Sequence, residues 1–181
     1  MEGVEDRAAV QKDVAGRRLQ DEAEIARLVR FTALSFATPF PVPFGAAIVH
    51  SDTRELLYRG RNAVAREKDP SAHAETRAVR KACGKLGRPS LAGYTLYSTC
   101  EPCPMCMANA LWAGVDRVVY GATIGDANEH CRQIHISARE VSERSDMPCE
   151  VVGEVMRELC RGLFQDSRML EAFQRWGTGK R

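Results

Sequence analysis

The sequence predicts an α/β fold of three layers, with helices on both faces of a five-stranded mixed sheet. Short β-prone runs alternate with stretches of helical periodicity along most of the 181 residues, the pattern of a layered α/β domain. The first two runs are separated only by a turn and so pair as a hairpin. The later runs are separated by helices, which makes them parallel neighbours joined by right-handed crossovers.

Residues 1–19 carry little sustained periodicity and are read as a flexible lead-in, leaving 20–181 as one domain. From Asp21 to Phe36 the apolar residues Ile25, Leu28, Val29, Leu34 and Phe36 mark an amphipathic helix that starts at Asp21;. Thr38–Gly45 holds three prolines and is loop, because too few backbone donors remain for a helix or ladder;. Ala46–His50 is a buried strand, and after a turn at Ser51–Thr53 the strand Leu56–Gly60 returns along it. Asp69 and Pro70 suit the cap and first position of a helix running to about Leu86, ended by Gly87 and Pro89. Tyr94–Ser98 alternates as a strand and leads through Cys100–Cys106 into a helix ending at Gly114. Arg117–Gly121 and Glu150–Val155 are the last two strands, with a weak helical signal at Ser137–Arg144 between them. A final helix begins near Met156 and leads to the aromatic residues Phe173 and Trp176.

Composition excludes several classes. A chain that is 44% hydrophobic and 28% charged is neither disordered nor fibrous;. No apolar run approaches the ~18–20 residues of a spanning helix, so no membrane partner is expected. The N-terminus lacks the apolar core of a secretory signal, which places the chain in the cytoplasm. A net charge of +2 is weak for a dedicated duplex nucleic-acid binder;. Seven cysteines are an odd number for a disulfide framework, so reduced thiols or metal ligands are expected instead;.

Cys100, Cys103 and Cys106 fall within one short segment. Cys103 and Cys106, three apart at a helix start, project on one face and can share a metal. The positive end of the helix favours their thiolate forms. His73 is expected in the first turn of its own helix, so two helix N-termini can converge on one ion. Three protein ligands leave the fourth position of tetrahedral zinc open, which defines a catalytic rather than a structural site. Glu75, two residues beyond His73, is placed to move protons. A closed four-cysteine site using Cys100 and Cys83 would leave the His-Ala-Glu element unexplained. Cys100 is expected to be structural.

His-x-Glu followed by Pro-Cys-x-x-Cys is the zinc-deaminase signature. The segments Asp69–Glu75 and Thr99–Cys106 closely resemble bacterial guanine deaminases of the cytidine/deoxycytidylate deaminase superfamily, as do Pro43–Val49, Asn62 and Arg80–Cys83. The resemblance covers about residues 40–122 and implies a cytidine-deaminase-like fold, usually dimeric. It implies one zinc per chain on His73, Cys103 and Cys106, with Glu75 as proton shuttle. It also implies that Asn62 hydrogen-bonds the base, and that the backbone at Ala74 and the ring of Phe44 line the pocket. Guanine, going to xanthine and ammonia, is the first expected substrate. A tRNA-specific adenosine deaminase and a cytosine deaminase are the alternatives, which keeps tRNA among the possible partners. Guanine deaminases of this type carry an acidic element after the fourth strand, and here only Asp126 and Glu129 stand in that region. Arg157, Arg161, Arg168, Arg175, Lys180 and Arg181 are read as a solvated face, and Phe173 and Trp176 as a pocket cover reaching from a partner subunit.

Overall fold

The structure, a computed structural model, describes residues 2–178, with side chains over 14–176; Lys180 and Arg181 lie outside them. Among the described residues five strands form one sheet in the order β2-β1-β3-β4-β5. β1 (Gly45–His50) and β2 (Leu56–Arg61) form the expected antiparallel hairpin. β3 (Tyr94–Cys100) is antiparallel to β1, whereas β3, β4 (Arg117–Ala122) and the short β5 (Glu150–Val152) run parallel. The mixed sheet and its two helical layers are those the sequence predicts.

Both faces are buried, and strand alternation divides the core in two. Ala47 and Val49 of β1, Tyr97 of β3 and Val119 of β4 face α1 (Glu2–Ala33), α7 (Arg157–Gln165) and α8 (Ser167–Thr178), where Ile25, Leu28, Leu163, Phe164 and Met169 complete one cluster. Their neighbours Ala46, Ile48, Leu96 and Val118 face α3 (Ala74–Leu86), α4 (Pro104–Trp112) and α6 (Ala138–Glu143). Gly121 lies where any side chain would collide with Cys160 Sγ, so the absence of a Cβ lets α7 close onto β4;.

Several boundaries differ from the sequence reading. The first helix begins at Glu2 rather than Asp21 and covers the segment read as a lead-in; a 3-10 turn, Leu34–Ala37, follows it. Asp21 does not cap it. Its buried carboxylate accepts hydrogen bonds from Tyr97 Oη at 2.6 Å and from Arg117 at 3.0 Å, fixing α1 to β3 and β4. The helix expected from Pro70 starts at Ala74, because Asp69 Oδ1 accepts from Ser71 N at 2.8 Å and Ser71 Oγ at 2.7 Å. Such an Asx turn competes with helical hydrogen bonding. A one-turn helix, α2 (Val64–Glu67), precedes it. Between β4 and β5 lie α5 (Ile124–Asn128) and α6, and the C-terminal aromatics sit on a separate helix, α8. β5 ends at Val152, short of the expected Val155.

Candidate active site

The site lies at the C-terminal end of β3, where ligands collect in parallel α/β sheets. The shortened start of α3 makes His73 its N-cap residue, and Cys103 is the N-cap of α4, with Pro104 at the first helical position;. Cys106 follows one turn later and is fully buried. His73 Nδ1 lies 3.6 Å from Cys103 Sγ and 3.5 Å from Cys106 Sγ. The three ligand atoms all fall within 4.8 Å of one another. A tetrahedral ion with bonds of ~2.0–2.3 Å has edges of ~3.3–3.8 Å, and both His73–Sγ distances fall in that range, so the donor set fits zinc. Among the described residues it is the group of this kind, and neither Cys83 nor Cys100 joins it. Cys100 is buried and donates to Thr123 O at 3.6 Å, a structural contact.

Electrostatics favour the thiolate at Cys103. Cys106 donates to Cys103, which lowers the pKa of Cys103 and raises that of Cys106, so one thiolate is held beside the imidazole;. Glu75 is 4% exposed. Its Oε1 accepts from Ser98 Oγ at 3.2 Å, and its Oε2 lies 3.7 Å from Cys106 Sγ. Burial pushes its pKa up while His73 pulls it back;. Ser98 is missed by sequence reasoning, although a hydroxyl at an inward position of a buried strand was a usable signal.

Two cavities meet at the cluster. The inner one, about 130 Å³, is lined by Phe44, Asn62, His73, Glu75, Glu101 and Gln133 among others. The outer cleft, about 1010 Å³, shares Asn62, His73 and Arg132 with it. Phe44 is held there because Thr99 Oγ1 donates to Pro43 O at 2.9 Å and accepts from Gly45 N at 3.0 Å. Asn62, expected from the resemblance to meet the base, is a turn residue that also lines both cavities. Its Oδ1 accepts from Val64 N at 2.9 Å, starting α2, while its side chain faces both cavities. Ala74 is buried at the first position of α3 between two cavity-lining residues, but does not itself line either cavity.

The residues beyond β4 are redistributed. Asp126 points away from the site: it completes a capping box with Thr123 and pairs with Arg157 at 2.9 Å and Arg161 at 3.1 Å. Those two arginines therefore clamp a buried carboxylate rather than form a solvated face. Arg168 pairs with Asp166 at 2.8 Å. Glu129, Phe173 and Trp176 line the outer cleft of their own chain, so the aromatic cover needs no partner subunit. His130 stacks on both Phe164 and Phe173. Arg132 and Gln133, which the sequence did not single out, complete the inner wall.

Residues 20–122 match the family described as the cytidine and deoxycytidylate deaminase zinc-binding region. The chain belongs to this deaminase family. The match contains every member of the metal cluster and Glu75, and the region it defines is zinc-binding. A guanine deaminase of Bacillus subtilis (strain 168) is 46% identical over 87 residues, covering 48% of this chain and 54% of that protein. The chain thus spans about half the length of that deaminase. A tRNA-specific adenosine deaminase of the same organism is 37% identical over 134 residues, 74% of this chain and 76% of the relative. The solved structure of a Bacillus subtilis guanine deaminase superposes with a TM-score of 0.58 at 31% identity, covering 86% of this chain and 92% of the other. Deaminases of this family with different bases as substrates therefore resemble the chain, and among the described residues no helix is long and apolar enough to cross a membrane.

Proposed function

We propose that the protein is a zinc-dependent hydrolase that deaminates an amino-substituted nucleobase, with guanine as first substrate. The observation that carries this reading is the buried Glu75 carboxylate, 3.7 Å from Cys106 and walled into the same cavity as His73 and Cys103. A structural zinc site has no use for such a group. His73, Cys103 and Cys106 would hold the zinc, one per chain. When bound, the metal lowers the pKa of water from ~15.7 toward ~7. Glu75 takes the proton that water gives up as it adds to the carbon bearing the exocyclic amine. The same carboxylate gives that proton to a ring nitrogen. It then takes the second proton from the hydroxyl of the adduct and passes it to the exocyclic nitrogen, which departs as ammonia as the carbonyl forms. Ser98 keeps one carboxylate oxygen fixed while the other faces the cluster. Asn62 offers its amide to the ring, Phe44 covers an edge of it, and the backbone N–H at Ala74 belongs to the helix end beneath it.

The inner cavity supports a base, and the identity to guanine deaminase supports guanine. A second reading, deamination of an adenosine in tRNA, is favoured by the outer cleft, whose walls carry Arg61, Arg66 and Arg132 beside Phe40 and Trp176. Cationic and aromatic side chains together suit a single-stranded backbone and its stacked bases. All seven cysteines are free thiols, which supports a reducing, cytoplasmic setting. The exposed Met105 and Trp112 on α4 support a homodimer. Ammonia release from guanine, adenine, cytosine, their nucleosides and a tRNA stem-loop tests the assignment. Turnover of guanine is expected; turnover of the stem-loop alone replaces it by the tRNA reading.

A further inference from the structure

We infer that Glu101 is a positioning residue that ties residues 124–138 to the metal-binding motif, and that this segment selects the base through Arg132 and Gln133. The inference rests on the deaminase reading above and extends it to residues outside the signature.

Glu101 stands between the end of β3 and the N-cap Cys103, and is 8% exposed. Its own N–H donates to Ala122 O at 2.7 Å, which fixes it to the end of β4. Both oxygens of its carboxylate serve the segment that follows, and Tyr120 of β4 also bonds the carboxylate. Oε2 accepts from Ile124 N at 3.0 Å, and Oε1 accepts from Ala138 N at 2.9 Å. These are the first residues of α5 and α6. Each helix already has a local cap for its third N–H: Thr123 accepts from Asp126 N, and Ser137 from Glu140 N. The first N–H of each is left for Glu101. One buried side chain therefore closes both ends of the segment.

Between those ends, residues 132–137 have no helix or strand to hold them. Yet Arg132 and Gln133 line the inner cavity together with residues of the signature. Arg132 makes no ion pair among the described residues and presents only donors. The Gln133 amide nitrogen bonds Cys131 Sγ at 3.3 Å, which leaves its carbonyl oxygen as an acceptor. A donor and an acceptor at one wall complement guanine, which loses its amine from C2 and carries a ring N–H (N1) and then a carbonyl (O6) along one edge from that carbon. Adenine loses its amine from C6 and has neither group on the ring edge beside it. The metal cluster and Glu75 require only an amine-bearing carbon next to a ring nitrogen, and are blind to this difference. The tethered segment is not.

The test uses full-length zinc-loaded Glu101→Gln, Glu101→Ala and Arg132→Ala. Glutamine puts N–H groups against one of the two backbone donors and so breaks one tether. Both Glu101 variants are expected to keep one zinc per chain; Glu101→Ala should speed amide exchange at both Ile124 and Ala138, and Glu101→Gln at one of the two. Their KM for guanine should rise about tenfold, kcat should hold within about threefold, and the preference for guanine over adenine should narrow. Arg132→Ala, on an exposed residue, should narrow the preference without changing exchange at Ile124 and Ala138. A purely structural Glu101 would lower the amount of folded enzyme and leave the base preference alone. An unchanged preference in all three variants overturns the inference, as does loss of zinc from Glu101→Gln. Should the wild-type protein deaminate none of the bases, the deaminase reading fails instead, and unchanged exchange at Ile124 and Ala138 would separately refute the tether.

Discussion

His73 and Cys103 occupy the same position in two different helices: each is the residue just before the first helical one, with φ −65° and ψ 155° at His73 and φ −64° and ψ 165° at Cys103. Extended backbone at an N-cap turns a side chain across the helix mouth. Two such mouths brought together set three ligand atoms without any distortion of either helix.

One zinc per chain is expected by elemental analysis. Cys103→Ala should lose it, whereas Cys100→Ser, whose thiol only bonds Thr123 O, should retain it. Retention by Cys103→Ala would show that this thiol is not a ligand.

Glu75→Gln should fold and bind zinc as the wild type does while losing turnover. General acid–base groups contribute ~10²–10⁴-fold, and one used at several proton transfers belongs at the upper end. Activity within about tenfold of wild type would assign proton transfer to another group.

Asn62→Asp and Asn62→Ala separate the two roles of that residue. Aspartate keeps the acceptor that Val64 N requires but removes the amide donor. Both variants should weaken base binding by roughly 1–3 kcal/mol, with only the alanine variant also lowering thermal stability. A KM unchanged in Asn62→Asp would leave Asn62 as a turn residue alone.

Acid should loosen α7 from α5. The Arg157 guanidinium beside Asp126 is the largest influence holding that carboxyl down to about 2, against ~3.9 for an unfolded aspartate. A depressed carboxyl stabilises the fold above its unfolded pKa and loses that contribution as pH falls, here between about pH 4 and pH 2. The loss should be on the order of 1 kcal/mol, since the arginine is partly solvated. Asp126→Asn should flatten this part of the stability profile, and an unaltered profile would exclude the pair.

Removing Asp21 should cost far more. Its carboxylate is 4% exposed and its partner Arg117 14% exposed at the side chain, and breaking a buried pair costs ~3–5 kcal/mol. Denaturant unfolding of Asp21→Ala checks this; a change below about 1 kcal/mol would mean that water replaces the carboxylate.

The strands were readable as short β-prone runs between turns. In β1, Ala46 and Ile48 face one helical layer and Ala47 and Val49 the other, so a strand buried on both faces reads as an unbroken apolar run. The metal cluster was readable because its ligands sit at short, fixed spacings. The start of α3 was not, because Asp69 and Pro70 suit a helix cap and an Asx turn equally well, and Ser71 decided between them. Arg132 and Gln133 were invisible for another reason. They lie outside regular structure, and their place at the cavity depends on Glu101, a residue that gives no local sign of reaching so far along the chain. The role of Asp126 was not legible because its partners, Arg157 and Arg161, belong to a later helix.

The knot of Asp21, Tyr97 and Arg117 lies toward the beginning of β3 and β4, where Thr95 pairs with Arg117, while the chemistry gathers at the other end, where Cys100 pairs with Ala122. A domain built this way can vary its business end without drawing on its anchorage. Grafting a different stretch between Thr123 and Ser137 is then a practical route to new base preferences, provided the carboxylate at position 101 still finds two amide hydrogens waiting for it.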